Sequence, residues 1–448
     1  MKKTNYGVIG LLAAACVLGF VSPGIKSAEP AAPASDAAAA VKTEAAESEA
    51  PAQTVTGVQQ LGAEMAKTGT GVSAVTADDW KDQYPLEYES FMKNNENDEV
   101  VDYIEENPYI KTLYEGYGFA ISYGSARGHT YDIEDLYATG RPHKLANCFT
   151  CKTSTFTAKV LEEGDSVYAM SFDDIKAEVG ETADEVADPF GCFHCHENTP
   201  GTMFVTHMYL ANALGQDIDK VPAADLSCAQ CHTEYYFDPE TKATTLGYHD
   251  LASMNPDDIL AYENTLVDGE GNQFADWVDE STGTRKLKAQ HPEFETFFED
   301  GSVHAQQFTC ADCHMGRKTA ADGTVFTDHN WTSPLNNQEL LDSTCSQCHS
   351  GSTDLKTLVP QIQAETRESE NRIGNKLANL DAKLTDAVNA GTMSEDELDE
   401  VRDLYRNSQF LWDFVFVENS EGAHNSKMTK KTLAEAEDLC DQALARLN

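Results

Sequence analysis

Cysteine pairs with the spacing Cys-x-x-Cys recur five times in this chain, and each pair is followed at once by a basic residue. Four runs end in histidine: Cys192, Cys195 and His196; Cys228, Cys231 and His232; Cys310, Cys313 and His314; Cys345, Cys348 and His349. The run that comes first in the chain, Cys148, Cys151 and Lys152, ends in lysine. Two thiols at this spacing can form thioethers to the vinyl groups of a haem, and the adjoining histidine is then close enough to bind the iron. Structural zinc would pair two such runs into one four-ligand site and give the following histidine no role. A cystine framework belongs to small secreted domains, whereas 448 residues can bury a core without staples. Each run therefore predicts one covalently held haem c, five in all.

Five irons have ten axial positions, and Lys152, His196, His232, His314 and His349 fill one on each iron. The chain has 13 histidines, so many others compete for the far sides, and spacing alone does not choose among them. The lysine is the informative ligand. Its ammonium must lose a proton before it can bind a metal, which takes desolvation or the metal's own charge. An iron held by Lys152 is the natural one to keep an open position opposite, and open iron in a protein with several haems meets substrate.

The order of these runs, lysine first, resembles that of the pentahaem cytochrome c nitrite reductases that form ammonia. The likeness extends from about Tyr114 to the C-terminal helices. It takes in Ser125-Ala126-Arg127-Gly128-His129, the Thr233-Glu234-Tyr235-Tyr236-Phe237 that follows the third run, and Leu287-Lys288-Ala289-Gln290-His291-Pro292. The resemblance implies that Arg127, Tyr235 and His291 surround the distal face of the Lys152 haem as the catalytic set. It also implies a calcium ion beside that site, bound by the Glu234 side chain, the carbonyls of Tyr235 and Lys288, and the amide oxygen of Gln290. Such an all-oxygen shell suits a hard cation. For the far sides of the other irons the resemblance nominates His129, His304, His329 and His424, which closes the ligand count with one position open. His143, His194, His207 and His249 fall outside the pattern and read as ordinary residues.

The activity implied is the six-electron reduction of nitrite to ammonium, with four bis-histidine haems storing and delivering electrons. Each of the three side chains has a physical role in that reaction. A guanidinium holds an anion, an imidazole supplies protons near neutral pH, and a phenol donates to a bound oxygen. The rival readings are an electron carrier with every iron six-coordinate, and a multihaem reductase of sulfur oxyanions such as sulfite or tetrathionate. The implied electron donor is a membrane quinol dehydrogenase cytochrome or a soluble multihaem cytochrome.

The elements that must position these residues are mainly helical. Lys2 and Lys3 precede an apolar run from Tyr6 to Val21, which marks residues 1–28 as an export signal, with an uncleaved anchor as the alternative. Cys16 lies within that run and reads as filler. The protein is expected in the periplasm or on the outer face of the cytoplasmic membrane. Residues 29–70, rich in Ala, Glu, Ser, Thr and Pro, read as a low-complexity tether. Residues 71–352 form the haem-binding catalytic region. A formal charge of −43 argues against nucleic acid as a partner and requires a local positive pocket for any anionic substrate.

Residues 353–448 turn strongly helical. Leu377, Leu380, Leu384 and Val388 share one face, and Gly391 is a stop. Ser394 with Glu397 forms a capping box ahead of Leu398, Val401 and Tyr405. A last helix follows His424, with Cys440 as a small buried residue near Leu433, Ala436 and Leu444. By spacing these stripes are intramolecular core; the resemblance implies that the long helices also form a homodimer interface. The predicted fold is a mainly α multihaem cytochrome c fold with long C-terminal helices and little β structure.

Overall fold

The computed structural model describes residues 76–142, 144–186, 189–196, 203, 205–298, 302–350 and 354–448. The expected signal, the tether and His143 lie outside the described residues. As predicted, helices dominate, and among the described residues the strands are short: β1 (Tyr236–Phe237) with β2 (Thr244–Thr245), β3 (Trp277–Val278) with β4 (Arg285–Lys286), and β5 (Arg317–Thr319) with β6 (Val325–Thr327). Each pair is an antiparallel hairpin. No helix among the described residues is long and apolar enough to cross a membrane.

Three long helices end the chain: α1 (Leu355–Ala390), α2 (Glu395–Phe416) and α3 (Ser426–Arg446). Their boundaries follow local chemistry. Gly391 closes α1 at φ 60°, a left-handed conformation that glycine adopts without a Cβ penalty. The reciprocal bonds of Ser394 and Glu397 open α2 as the sequence predicts, and the Asn425 side chain caps α3 by accepting from the Met428 N–H.

The apolar stripes of these helices pack inward. Leu377, Leu380, Leu384, Val401, Tyr405, Ala436 and Cys440 are fully buried, and Val388 lies half-buried on the same core. That core also takes Tyr109, Leu113, Leu210, Leu226, Trp277 and Leu287 from the haem-binding region, so one apolar mass joins both parts of the chain. Gly374 of α1 sits where an added Cβ would come within 2.5 Å of the Tyr109 ring, which is why the two surfaces can meet there. A second, smaller cluster gathers Ile133, Leu136, Phe149, Phe156, Phe172 and Ile175. Phe149 lies inside the lysine run and stacks on Phe172 at 4.8 Å, so the loop that carries Lys152 is anchored by its own aromatic residue.

Candidate active site and haem ligands

The spacing of the runs becomes a face of a helical turn. The N–H of His196, His232 and His349 each donates to the carbonyl of the first cysteine of its run at 2.9 Å, and Cys310–His314 is itself one turn of helix. Positions i, i+3 and i+4 then point the same way, so two thiols and one imidazole share one side. Among the described residues no cysteine of the five runs is in a disulfide.

Each of these four histidines faces one of the four nominated for the far sides. His129 lies 5.6 Å from His232 between ring centroids, with the two Nε2 atoms 3.4 Å apart. His196 faces His329 at 6.3 Å, His349 faces His304 at 6.1 Å, and His314 faces His424 at 6.0 Å. A metal–imidazole bond is about 2 Å, so two rings on opposite sides of one iron have facing nitrogens about 4 Å apart. The His129–His232 pair needs to open by only about half an ångström to reach that span, and the other three pairs have ring centroids 6.0–6.3 Å apart. Burial pulls the His129 pKa down to about 3, helped by His232, His291 and Lys152, with Glu293 opposing. Histidine rings gathered in pairs, one of each pair adjoining two cysteines in its run, fit haem c.

The lysine run is arranged differently. Lys152 Nζ lies 4.0 Å from Asp132, whose carboxyl is raised to about 7 by burial against the pull of Lys152. His291 and Tyr235 are both within electrostatic reach of this run. Burial lowers the His291 pKa, Glu293 opposes, and His232 and Lys152 add to the fall. Burial raises that of Tyr235, the Cys151 thiol adds to it, and Arg141 pulls the other way. His291 stands 6.0 Å from His232, the ring already paired with His129 at 5.6 Å and with their Nε2 atoms 3.4 Å apart.

Arg127 is engaged by carboxylates. Its Nε donates to Asp135 at 3.0 Å, a terminal nitrogen reaches Glu134 at 3.2 Å, and the guanidinium covers the Tyr131 ring at 4.4 Å. The cation that the structure brings toward Tyr235 is Arg141, which sequence reasoning passed over. Its Nε donates to Ser122 at 2.6 Å and its guanidinium lies over Phe119 at 4.6 Å. Phe119 adjoins Phe237, which adjoins Tyr235 at 5.5 Å. Among the described residues no carboxylate lies within ion-pair distance of Arg141.

The nominated calcium ligands also converge. Glu234 Oε2 accepts from the Gln290 N–H at 2.6 Å, while its Oε1 is buried without a hydrogen-bond partner. The Gln290 side chain donates to the Lys288 carbonyl at 3.3 Å, which places those two together. Burial, with Glu263 and Glu295 close by, holds the Glu234 carboxyl well above its usual range. An orphaned buried carboxylate oxygen amid other acids and carbonyls is an environment that a hard cation would offset.

His194 and His207 do not sit in the facing pairs, but they are not idle. His207 Nε2 donates to the Thr150 carbonyl of the lysine run at 2.7 Å, and its ring lies 3.1 Å from Gln230 Oε1 in the third run. The Gln230 amide donates in turn to the His194 carbonyl in the second run. The knot ties three haem-attachment loops together and brings a Cys151, a Cys231 and a His207 ligand atom within 4.8 Å of one another. A buried histidine chosen for its reach to two carbonyl-bearing loops leaves no signal in spacing.

A mainly helical frame with five haem-attachment runs and facing histidine pairs defines a multihaem c-type cytochrome, which is an oxidoreductase. The chain belongs to the cytochrome c552 family, which it matches over residues 76–448. It is 31% identical to the cytochrome c nitrite reductase subunit NrfA of Nitratidesulfovibrio vulgaris over 411 residues, 82% of this chain and 77% of that protein. To cytochrome c-552 of Desulfotalea psychrophila it is 30% identical over 392 residues, 83% of this chain and 74% of that one. The solved structure of cytochrome c nitrite reductase from Desulfovibrio desulfuricans, whose catalytic subunit is described with two calcium sites, is similar with a TM-score of 0.73 and 28% identity, covering 84% of this chain and 87% of that one.

Proposed function

We propose that this chain reduces nitrite to ammonium at the haem held by Lys152, fed by four bis-histidine haems. The balance is one nitrite, eight protons and six electrons giving one ammonium and two waters. The observation that carries the reading is the pairing of His129 with His232, His329 with His196, His304 with His349 and His424 with His314. It uses the histidine that ends each of the four runs, and Tyr235 and His291 lie within electrostatic reach of the lysine run. The names borne by the relatives support the substrate.

The haem iron supplies the binding position for nitrogen and the electrons. The protein's part is to hold the anion and deliver protons. Arg141, free of carboxylates, is the cation suited to the nitrite oxygens; Arg127, engaged by Asp135 and Glu134, supports Tyr131 and the helix over residues 132–138. The lowered pKa of His291 keeps its imidazole neutral at pH 7, able to pass a proton onward, and the raised pKa of Tyr235 keeps its hydroxyl a donor. Glu234, the Tyr235 and Lys288 carbonyls and Gln290 would hold a calcium ion, tying the Tyr235 backbone to the segment that carries His291.

Export to the periplasm or the outer face of the cytoplasmic membrane accords with covalent haem attachment and with the N-terminal run of the sequence. Residues 1–28 then serve as signal or anchor, 29–70 as tether, 71–352 as catalytic region, and 353–448 as the helices of a homodimer. Electrons come from a quinol dehydrogenase cytochrome or a soluble multihaem cytochrome. The test is to reduce the haem-loaded protein, add nitrite and quantify ammonium. Ammonium at one per six electrons, lost in His291→Ala, supports the reading; no turnover with every haem low-spin defeats it and favours an electron carrier.

A further inference from the structure

Lys288, Ala289, Gln290 and His291 contribute two of the proposed calcium ligands and the proton-handling imidazole, yet they lie in no helix or strand. Backbone outside a ladder must find its hydrogen bonds elsewhere. Here three consecutive peptide N–H groups each donate to a different carboxylate, those of Asp413 and Glu234 buried and that of Asp276 half-buried. Lys288 N donates to Asp276 at 2.8 Å, Ala289 N to Asp413 at 3.0 Å, and Gln290 N to Glu234 at 2.6 Å. Asp413, fully buried in α2, also accepts from Lys288 Nζ at 2.7 Å and from the Tyr114 hydroxyl. An ionised acceptor makes such a bond stronger than an ordinary peptide one. Pinning successive N–H groups also fixes where the carbonyls between them point.

From this geometry we infer that Asp413 and Asp276 are positioning residues of the active site. By gripping the backbone of Lys288 and Ala289 they set the direction of the Lys288 carbonyl and Gln290, which would hold the cation, and the position of His291, which would serve the Lys152 haem. Neither carboxylate touches substrate. The inference rests on the nitrite and calcium reading above. It adds a mechanical link from a long C-terminal helix to the chemistry, through a residue 125 positions from the lysine it holds.

The test uses the intact five-haem protein with Asp413→Asn, and with a double variant in which Lys288→Met accompanies Asp413→Leu. The double variant removes both charges, so that neither is stranded in the core, and it keeps the Lys288 backbone carbonyl. Calcium affinity after chelation, kcat and KM for nitrite, and Tm are measured for each. Outer partners of metal ligands typically matter by about 10- to 100-fold, so each folded variant is expected to lose about tenfold or more in calcium affinity and to fall in kcat more than it changes in KM. If Asp413→Asn does not fold, the double variant decides. Calcium affinity and kcat within about twofold of the parent, with only Tm lowered, would overturn the inference and leave Asp413 a core ion pair. A parent that takes up no calcium overturns it too. A parent that binds calcium but does not reduce nitrite defeats the functional reading alone, and the calcium titration of the variants still decides this one.

Discussion

A guanidinium can hold a small anion only while no carboxylate already holds the guanidinium. Arg127 spends its donors on Asp135 and Glu134, whereas Arg141 has one hydroxyl partner and an aromatic face. A charged hydrogen bond is worth about 1.5–3 kcal/mol, so Arg141→Ala should lower kcat/KM for nitrite by roughly 10- to 150-fold. Arg127→Ala should cost less in steady-state kinetics, and the reverse order would return the anion-binding role to Arg127. The sequence could not rank the two, because the direction of each side chain is set by Asp135 and Phe119, which spacing does not relate to the haem. The proposed iron ligands were more legible: the four runs nominate their own histidines, since a thiol pair and an imidazole at i, i+3 and i+4 need only one helical turn. Their partners do not declare themselves. His129 and His232 are 103 positions apart and meet only in the folded chain. His329→Ala should therefore convert the haem of the second run from low-spin to high-spin, read by electronic absorption and EPR, while the other bis-histidine haems keep their spectra.

The long helices were the most readable elements, because capping boxes, glycine stops and 3.6-residue stripes are local. Gly374 shows where local propensity gives the wrong sign. In an exposed helix interior, glycine to alanine stabilises by about 1 kcal/mol. At this position the new Cβ would press on Tyr109, which is itself backed by Trp412 at 5.7 Å and cannot swing away. Overpacking costs about 1–3 kcal/mol, so Gly374→Ala should lower Tm, and a rise would mean that Tyr109 yields. The same helix carries a pH dependence. Burial raises the Glu370 carboxyl to about 8, with Glu421 and Glu418 adding to the rise and Arg367 opposing it, against 4.5 for a free glutamate. Between those values the folded chain binds a proton that the unfolded chain has lost, so this group makes stability fall as pH rises through that window. Glu370→Gln should flatten the decline, seen as a smaller drop in Tm between pH 5 and pH 8 than the parent shows, measured by calorimetry.

At the scale of the whole molecule, a formal charge of −43 confronts a substrate of the same sign. Haem propionates would add to that charge. The attraction of Arg141 and the repulsion of the surface act over different distances, and salt separates them. The Debye length is about 30 Å at 0.01 M and about 8 Å at 0.15 M. In dilute buffer a nitrite ion at the entrance feels most of the acidic surface. Near physiological ionic strength it feels little beyond its immediate neighbours, while a contact with Arg141 inside the fold is screened much less. The KM for nitrite should therefore fall as an inert salt is raised from about 0.01 M to about 0.15 M, opposite to the usual weakening of charge attraction by salt. A small neutral reductant at saturation keeps the protein donor's own salt dependence out of the measurement. If KM rises instead, cations at the entrance outweigh the acidic surface even in dilute buffer, and the approach of nitrite is governed by the local pocket throughout.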